Sequence, residues 1–257
     1  MRQHVPESMR FTGSIPEAPL ALSAMEPGTA PRPQDVSDRK ERSGIFTASQ
    51  IHKIITPTLK KPDNATFRQY IAEKAWERIT GCTAENGRGA QATEWGHEHE
   101  SHALFEFTMA TGISVENTGV FQRFFKKEGF PFGATPDGIV SDTMSKRTHT
   151  VEVKCPFNGG IHFQNLKFAH DPEWFKAHRF EYYAQCQSAM WAADVDKCYW
   201  VSYDPGTSRE RDSFNRITVE GFEKYRLFWT EFYLEPSFIK ALEEAIMRAE
   251  DELLAMI

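Results

Sequence analysis

Apolar residues fall at helical spacing through the first part of the chain. Ile51, Ile54 and Ile55 form a stripe behind Thr47-Ala48-Ser49-Gln50, which fits a capping box, and Pro57 closes the segment, so a helix is predicted there. The spacing predicts a second helix over 64–80, with Phe67, Ile71, Ala75 and Trp76 turned inward and Gly81 ending it. A loop follows over 82–89, and a third helix spans about 92–111 and stops at Gly112. Beyond it the period shortens to two. Strands are expected over 113–116, 119–125, 132–140 and 148–154, with a turn near 141–147 and a break at Asn158-Gly159-Gly160. A helix returns over 180–193, where Tyr182, Gln185 and Ala189 share a face. Strands over 198–203 and 217–219 precede a long terminal helix from Gly221. Its Phe222, Tyr225, Phe228, Trp229 and Phe232 read as core or subunit contact rather than a base-stacking platform. Residues 1–38 are proline-rich and aperiodic, so they read as a disordered or loosely attached arm before one α/β domain over 39–257.

Composition agrees with a globular chain: of 257 residues, 40% are apolar and 13% aromatic. No apolar run approaches the roughly 20 residues of a membrane span, and no apolar core follows Arg2 and Arg10 as a secretory signal requires. Cys82, Cys155, Cys186 and Cys198 form no C-x-x-C pair and read as reduced thiols of a cytoplasmic protein. A net charge of −6 argues at first against a polyanionic partner. The distribution changes that picture, because 1–38 carries −2 and 235–257 carries −4, leaving the middle neutral with 25 charges of each sign. Basic patches are available at Arg39-Lys40-Arg42, Lys60-Lys61, Arg68 with Lys74, Lys126-Lys127 and Lys146-Arg147, though each taken alone reads first as a solvated face.

The chemistry concentrates in two phrases, Ala134-Thr135-Pro136-Asp137-Gly138 and Val151-Glu152-Val153-Lys154. Each alone is an ordinary turn or half-exposed strand. On a strand, however, Glu152 and Lys154 project to one face and Val151, Val153 and Cys155 to the other, and charges on a buried strand need partners. Two carboxylates and a lysine then converge. Carboxylates held together repel each other and a phosphate, so such a site calls for a divalent cation between them. Oxygen ligands select a hard ion, Mg²⁺ or Mn²⁺, with Asp137, Glu152 and the Val153 carbonyl as candidate ligands. Lys154 would hold the attacking water and oppose charge developing on a phosphodiester under hydrolysis. The dense run Glu94-Trp95-Gly96-His97-Glu98-His99-Glu100-Ser101-His102 invites a zinc reading, but Ser101 stands where H-E-x-x-H needs its second histidine.

Pro136-Asp137 followed by Glu152-Val153-Lys154 resembles the PD-(D/E)XK nuclease signature. The wider text resembles one branch of it, the lambda exonuclease family of phage recombination nucleases (YqaJ-type viral recombinases). The matching blocks, in order, are 42–49, Trp95-Gly96 with Glu100, 104–107, Pro136-Asp137-Gly138, 152–157, 182–187 with Met190-Trp191, and Tyr203-Asp204-Pro205. The resemblance implies a restriction-endonuclease-like α/β fold, a mixed sheet of about five strands flanked by helices. It implies a Mg²⁺-dependent (or Mn²⁺-dependent) 5′→3′ exonuclease on linear double-stranded DNA that releases mononucleotides and leaves a 3′ overhang for recombination. Glu100 would join Asp137, Glu152 and Val153 at the metal, and Gln185 would orient the water or Lys154. Arg42, Ser49 and Thr135 would grip the terminal 5′-phosphate, with Tyr182 and His162 as weaker DNA contacts. Family members form ring-shaped homotrimers, work beside a single-strand annealing protein and act in the bacterial or phage-infected cytoplasm. The sequence departs from the family pattern near Gly160, where a basic residue is expected; His162 or Lys167 would replace it. An endonuclease with the same metal site, and a non-catalytic DNA-binding or annealing module, are the alternative readings.

Overall fold

A computed structural model describes residues 42–84, 91–116, 122–123, 129–142, 147–207 and 220–257. The expected arm over 1–38 and strand over 217–219, and the basic residues Arg39, Lys40, Lys126, Lys127 and Lys146, lie outside the described residues, as does most of the expected strand over 119–125.

A mixed five-stranded sheet positions everything else. It is built from β2 (Val115–Glu116), β5 (Gly138–Asp142), β6 (Arg147–Lys154), β7 (Lys197–Tyr203) and β8 (Leu227–Tyr233), in the order β2-β5-β6-β7-β8. Only the β6/β7 pair is parallel among these neighbours. A second sheet of three short strands, β1 (Phe46–Thr47), β3 (Gln122–Arg123) and β4 (Phe132–Ala134), is ordered β1-β4-β3. Six α-helices complete the described chain: α1 (Ala65–Thr80), α2 (Gln91–Thr111), α3 (Gly159–Phe168), α4 (Pro172–His178), α5 (Phe180–Ala193) and α6 (Pro236–Leu254).

The large sheet is buried on both faces, and strand alternation sorts its residues between two cores. Cys198, Trp200 and Phe232 enter a core with α1, α5, α6 and the small sheet. Val151, Val153, Tyr199, Val201 and Tyr203 turn the other way and pack with Trp95, Ala103, Leu104 and Phe107 of α2. Trp200, Phe232 and Phe175 share edge-to-face or tilted contacts with centroids 4.6 to 4.7 Å apart, the offset geometry that aromatic quadrupoles favour.

Several helix ends follow from local chemistry. The Asn64 side chain accepts the Phe67 N–H, capping α1, and Gly81 closes it at φ 69°. The structure departs from the sequence expectations in five places. The segment after Thr47 is a six-residue 3-10 helix, Ala48–Lys53, with no side-chain cap, so the capping box does not form. Trp76 is 47% exposed, while Phe67, Ile71 and Ala75 are buried. The expected strand 132–140 is two strands in different sheets, because Pro136 has no N–H to donate and the chain turns there. Asn158-Gly159-Gly160 starts a helix rather than breaking the chain: the Asn158 side chain accepts the Gly160 N–H as the cap of α3. The predicted terminal helix is instead a 3-10 turn (Glu223–Tyr225), strand β8 and then α6, which begins at Pro236.

Candidate active site

The parallel strands β6 and β7 end together, and the link 135–137 enters β5 beside them, since Gly138 pairs with Val151. Gly138 makes this approach possible: a Cβ on it would stand 2.2 Å from Val115 Cγ1. Asp137 is therefore delivered to the C-terminal end of β6, where the Val153 N–H donates to its Oδ2 at 2.6 Å. Glu152 and Lys154 do project to one face, and the Lys154 ammonium donates to Glu152 Oε1 at 2.5 Å. From α5 the Gln185 side-chain amide donates to the same oxygen. The Tyr182 ring, one turn earlier on α5, lies with its centroid 5.5 Å from the Lys154 nitrogen, a cation–π contact that fixes the ammonium.

Electrostatics set the protonation of this cluster. Burial pushes Glu152 up to about 8, and the neighbouring Asp137 charge adds to the rise while Lys154 opposes it. Asp137 is raised as well, by burial, against the pull of Lys154 and the Val153 N–H. Burial alone would lower Lys154, but the charges of Glu152 and Asp137 outweigh it and hold the ammonium above its ordinary value. Glu152 Oε2 is buried without a donor, and Glu152 also lies within hydrogen-bonding reach of Asp137. Two carboxyls can share such a contact only through a proton or a cation. An oxygen donor set, a buried carboxylate oxygen lacking a partner and a facing acid together fit a hard divalent ion.

The remaining sequence candidates divide. Glu100 on α2 stands near enough to raise Glu152 and Cys155 by its charge. It flanks the pair rather than closing a cage, for no three His, Cys, Asp or Glu among the described residues converge as metal ligands. That holds for the histidine-rich run on α2 too. Thr135 Oγ1, two residues before Asp137, is buried with no partner. β1 runs parallel to β4 with Thr47 opposite Gly133, which carries the 3-10 helix and Ser49 toward Thr135. Arg42, at the start of the same segment, is partly exposed. The Val153 backbone reaches the site through its N–H. Tyr182 faces Lys154 as described, a role its pairing with DNA in the sequence reading did not include.

His162 must be corrected. It is fully buried, its Nε2 lies 2.6 Å from the Tyr225 carbonyl and its Nδ1 lies 2.8 Å from Ser202 Oγ. A carbonyl only accepts, so Nε2 carries the proton and Nδ1 accepts from Ser202, leaving neither nitrogen for DNA. Lys167, in the last turn of α3, remains exposed. Cys155, read from the sequence as a reduced thiol, is buried with Val151 and Val153, and burial, with the charges of Glu100 and Asp137, pushes the thiol well up and keeps it unreactive.

Comparison with known proteins bears on this site. The YqaJ-like viral recombinase domain matches residues 38–196. The chain superposes on the alkaline exonuclease LHK-Exo from Laribacter hongkongensis with a TM-score of 0.64 and 26% identity, covering 86% of this chain and 93% of that one. LHK-Exo in complex with dAMP gives 0.64 and 27% identity, over 85% and 92%. A phage related exonuclease from Haemophilus somnus 129PT gives 0.61 at 18% identity, over 81% and 93%, a likeness of fold. No curated protein matches the sequence.

Proposed function

Because the chain belongs to the YqaJ-like viral recombinase family, we propose that it is a Mg²⁺-dependent exonuclease that degrades linear double-stranded DNA from the 5′ end, releasing mononucleotides and leaving a 3′ overhang for recombination. The observation that carries this reading is the buried Glu152, which takes Lys154 and Gln185 on one oxygen, keeps the other sealed from solvent without a donor among the described residues, and stands beside Asp137.

Asp137 and Glu152 would hold the metal, with the Val153 carbonyl and, from the flank, Glu100. When bound, the ion supplies Lewis acidity toward the phosphoryl oxygen and lowers the pKa of a coordinated water. The chain's own residues do the positioning. Gln185 holds one oxygen of the Glu152 carboxylate and so fixes its orientation beside Asp137. Lys154 remains an ammonium, since two acids hold its proton. Pinned between Glu152 and the Tyr182 ring, it offers a fixed positive charge to the scissile phosphate, already oriented before the reaction. The Thr135 hydroxyl, which lacks a partner among the described residues, together with Arg42 and Ser49, would receive the terminal 5′-phosphate. Family membership also supports a ring of three copies around DNA and a single-strand annealing protein as partner.

The test is digestion of a linear duplex labelled at either end, with Mg²⁺, with Mn²⁺ and with chelator, against a closed circular duplex. Metal-dependent loss of the 5′ label as mononucleotide, with circles intact, is expected. Nicked circles would favour an endonuclease, and no cleavage with any divalent ion would leave only a DNA-binding module. Replacing the 5′-phosphate by a hydroxyl should slow digestion, and Arg42→Ala should remove that preference.

A further inference from the structure

The turn Glu223–Tyr225 between β7 and β8 lies at the same end of the large sheet as the acids. Lys154 is paired with Ser202, and Ser202 with Phe228. Arg226 is therefore two strands across and two residues further along, about 10 Å and about 7 Å by standard strand spacing. The turn is tied down: its Tyr225 carbonyl accepts from His162 of α3, and the Arg226 carbonyl accepts the Asp204 N–H at 2.9 Å.

Two groups at this turn are left open among the described residues. Arg226 is partly buried, its Nε is sealed from solvent without an acceptor, and among the described residues its guanidinium has no hydrogen bond or ion pair. Its charge lowers the Tyr203 phenol somewhat, against burial and Glu106, without neutralising the guanidinium. A guanidinium that has lost water at one nitrogen normally gains a carboxylate in return. Among the described residues no carboxylate supplies that return. The second group is aromatic. Phe163 of α3 lies 6.0 Å from Phe222 and 5.6 Å from Tyr225, centroid to centroid, and Phe222 backs onto Gly206, where a Cβ would stand 2.3 Å from the ring. Phe163 is nevertheless 46% and Tyr225 39% exposed, and the Lys224 ammonium lies 4.8 Å from the Tyr225 ring centre.

We propose that this turn binds an unpaired stretch of DNA, Arg226 taking a backbone phosphate and the rings of Tyr225 and Phe163 stacking on a base. The inference rests on the nuclease reading of the neighbouring site, since digestion of one strand leaves the other unpaired within reach. Fixed rings beside cations are how proteins hold single strands without regard to sequence. A contact between subunits would use the rings but would leave the Arg226 charge unanswered. The position of these residues on a turn and strand, not in a terminal helix, is what brings them to the surface.

The experiment is anisotropy of labelled oligothymidylate with full-length protein in chelator, across a range of salt, which separates binding from cleavage. Arg226→Gln should weaken binding and reduce the log–log salt slope by about 0.7, the contribution of one single-strand phosphate contact. Arg226→Lys should keep the slope. Phe163→Leu with Tyr225→Leu should weaken binding between about fivefold and about a hundredfold while leaving the slope unchanged. If the double variant melts below the assay temperature, the slope of Arg226→Gln decides alone. Wild-type protein that ignores oligothymidylate, variants that bind as wild type, or a molar mass that drops when the two rings are replaced would each overturn the proposal. Wild-type digestion of duplex, measured separately, reports on the nuclease reading whatever the oligothymidylate result.

Discussion

At the scale of single residues, the site is a balance of one ammonium against the buried Glu152 and the half-buried Asp137, and that balance makes two predictions. Lys154→Ala removes the fixed charge facing the phosphate and should cost at least about a thousandfold in cleavage rate, the upper range for one electrostatic donor. DNA binding should persist; a variant that cuts normally would remove Lys154 from the mechanism. The second prediction concerns pH. Glu152 titrates near 8 in the fold against 4.5 for the ordinary group. The unfolded chain therefore releases this proton first, and folded stability falls as pH rises from about 4.5 until about 8, then levels off, by on the order of a few kcal/mol. Asp137 is shifted in the same direction, whereas Lys154 keeps its proton throughout this window and adds no slope. Thermal melts in chelator should show that decline, and Glu152→Gln should flatten it. Because a divalent ion must displace the proton held by the acid pair, the gain in melting temperature from Mg²⁺ should be larger at pH 8 than at pH 6. Equal gains at both would mean that the pair holds no proton to displace.

At the scale of elements, the approach of β2 to β5 decides where Asp137 points. Gly138→Ala puts a methyl 2.2 Å from Val115 Cγ1, and overpacking of this kind costs about 1–3 kcal/mol. The strand must shift and Asp137, its neighbour, shifts with it, so activity should fall by more than stability. Val115→Ala opens the space and should restore both; a double variant still inactive would place the defect elsewhere. The Pro-Asp-Gly phrase made this corner legible in the sequence, as did the alternation that puts Glu152 and Lys154 on one face. What was not legible had physical causes. Phe222, Tyr225, Phe228, Trp229 and Phe232 fit helical spacing, yet they are a turn and a strand because β8 pairs with β7 across seven residues. Tertiary pairing overrode the local pattern, and Pro236 was the true start signal. Gly159-Gly160 read as a break because the capping role of Asn158 depends on geometry. His162 looked available as a basic group, but its burial against Ser202 depends on β7, forty residues away in sequence.

At the scale of the whole molecule, the proposed activity asks a chain of net charge −6 to stay on a polyanion while it cuts. The segment 39–234 is neutral, so the attraction comes from local cations such as Lys60 and Lys61 and is short-ranged and readily screened. Lys61 is already partly engaged by Glu252 of α6, which reduces that attraction further. The proposed ring of three copies would reconcile weak attraction with long runs of cutting, because DNA that is enclosed need not be held by adsorption. Exposed apolar residues at Phe105 and Met109 of α2, 58% and 63% exposed, give such an assembly surface to bury. Enclosure and adsorption respond differently to salt. Loading onto an end should weaken steeply as salt rises, because each phosphate contact releases counterions. The number of nucleotides removed per loading event, measured with a trap of unlabelled ends, should change much less, because a ring has to open before DNA can leave. A solution mass of one chain, together with run length and loading that decline in parallel, would show that the protein only adsorbs to DNA.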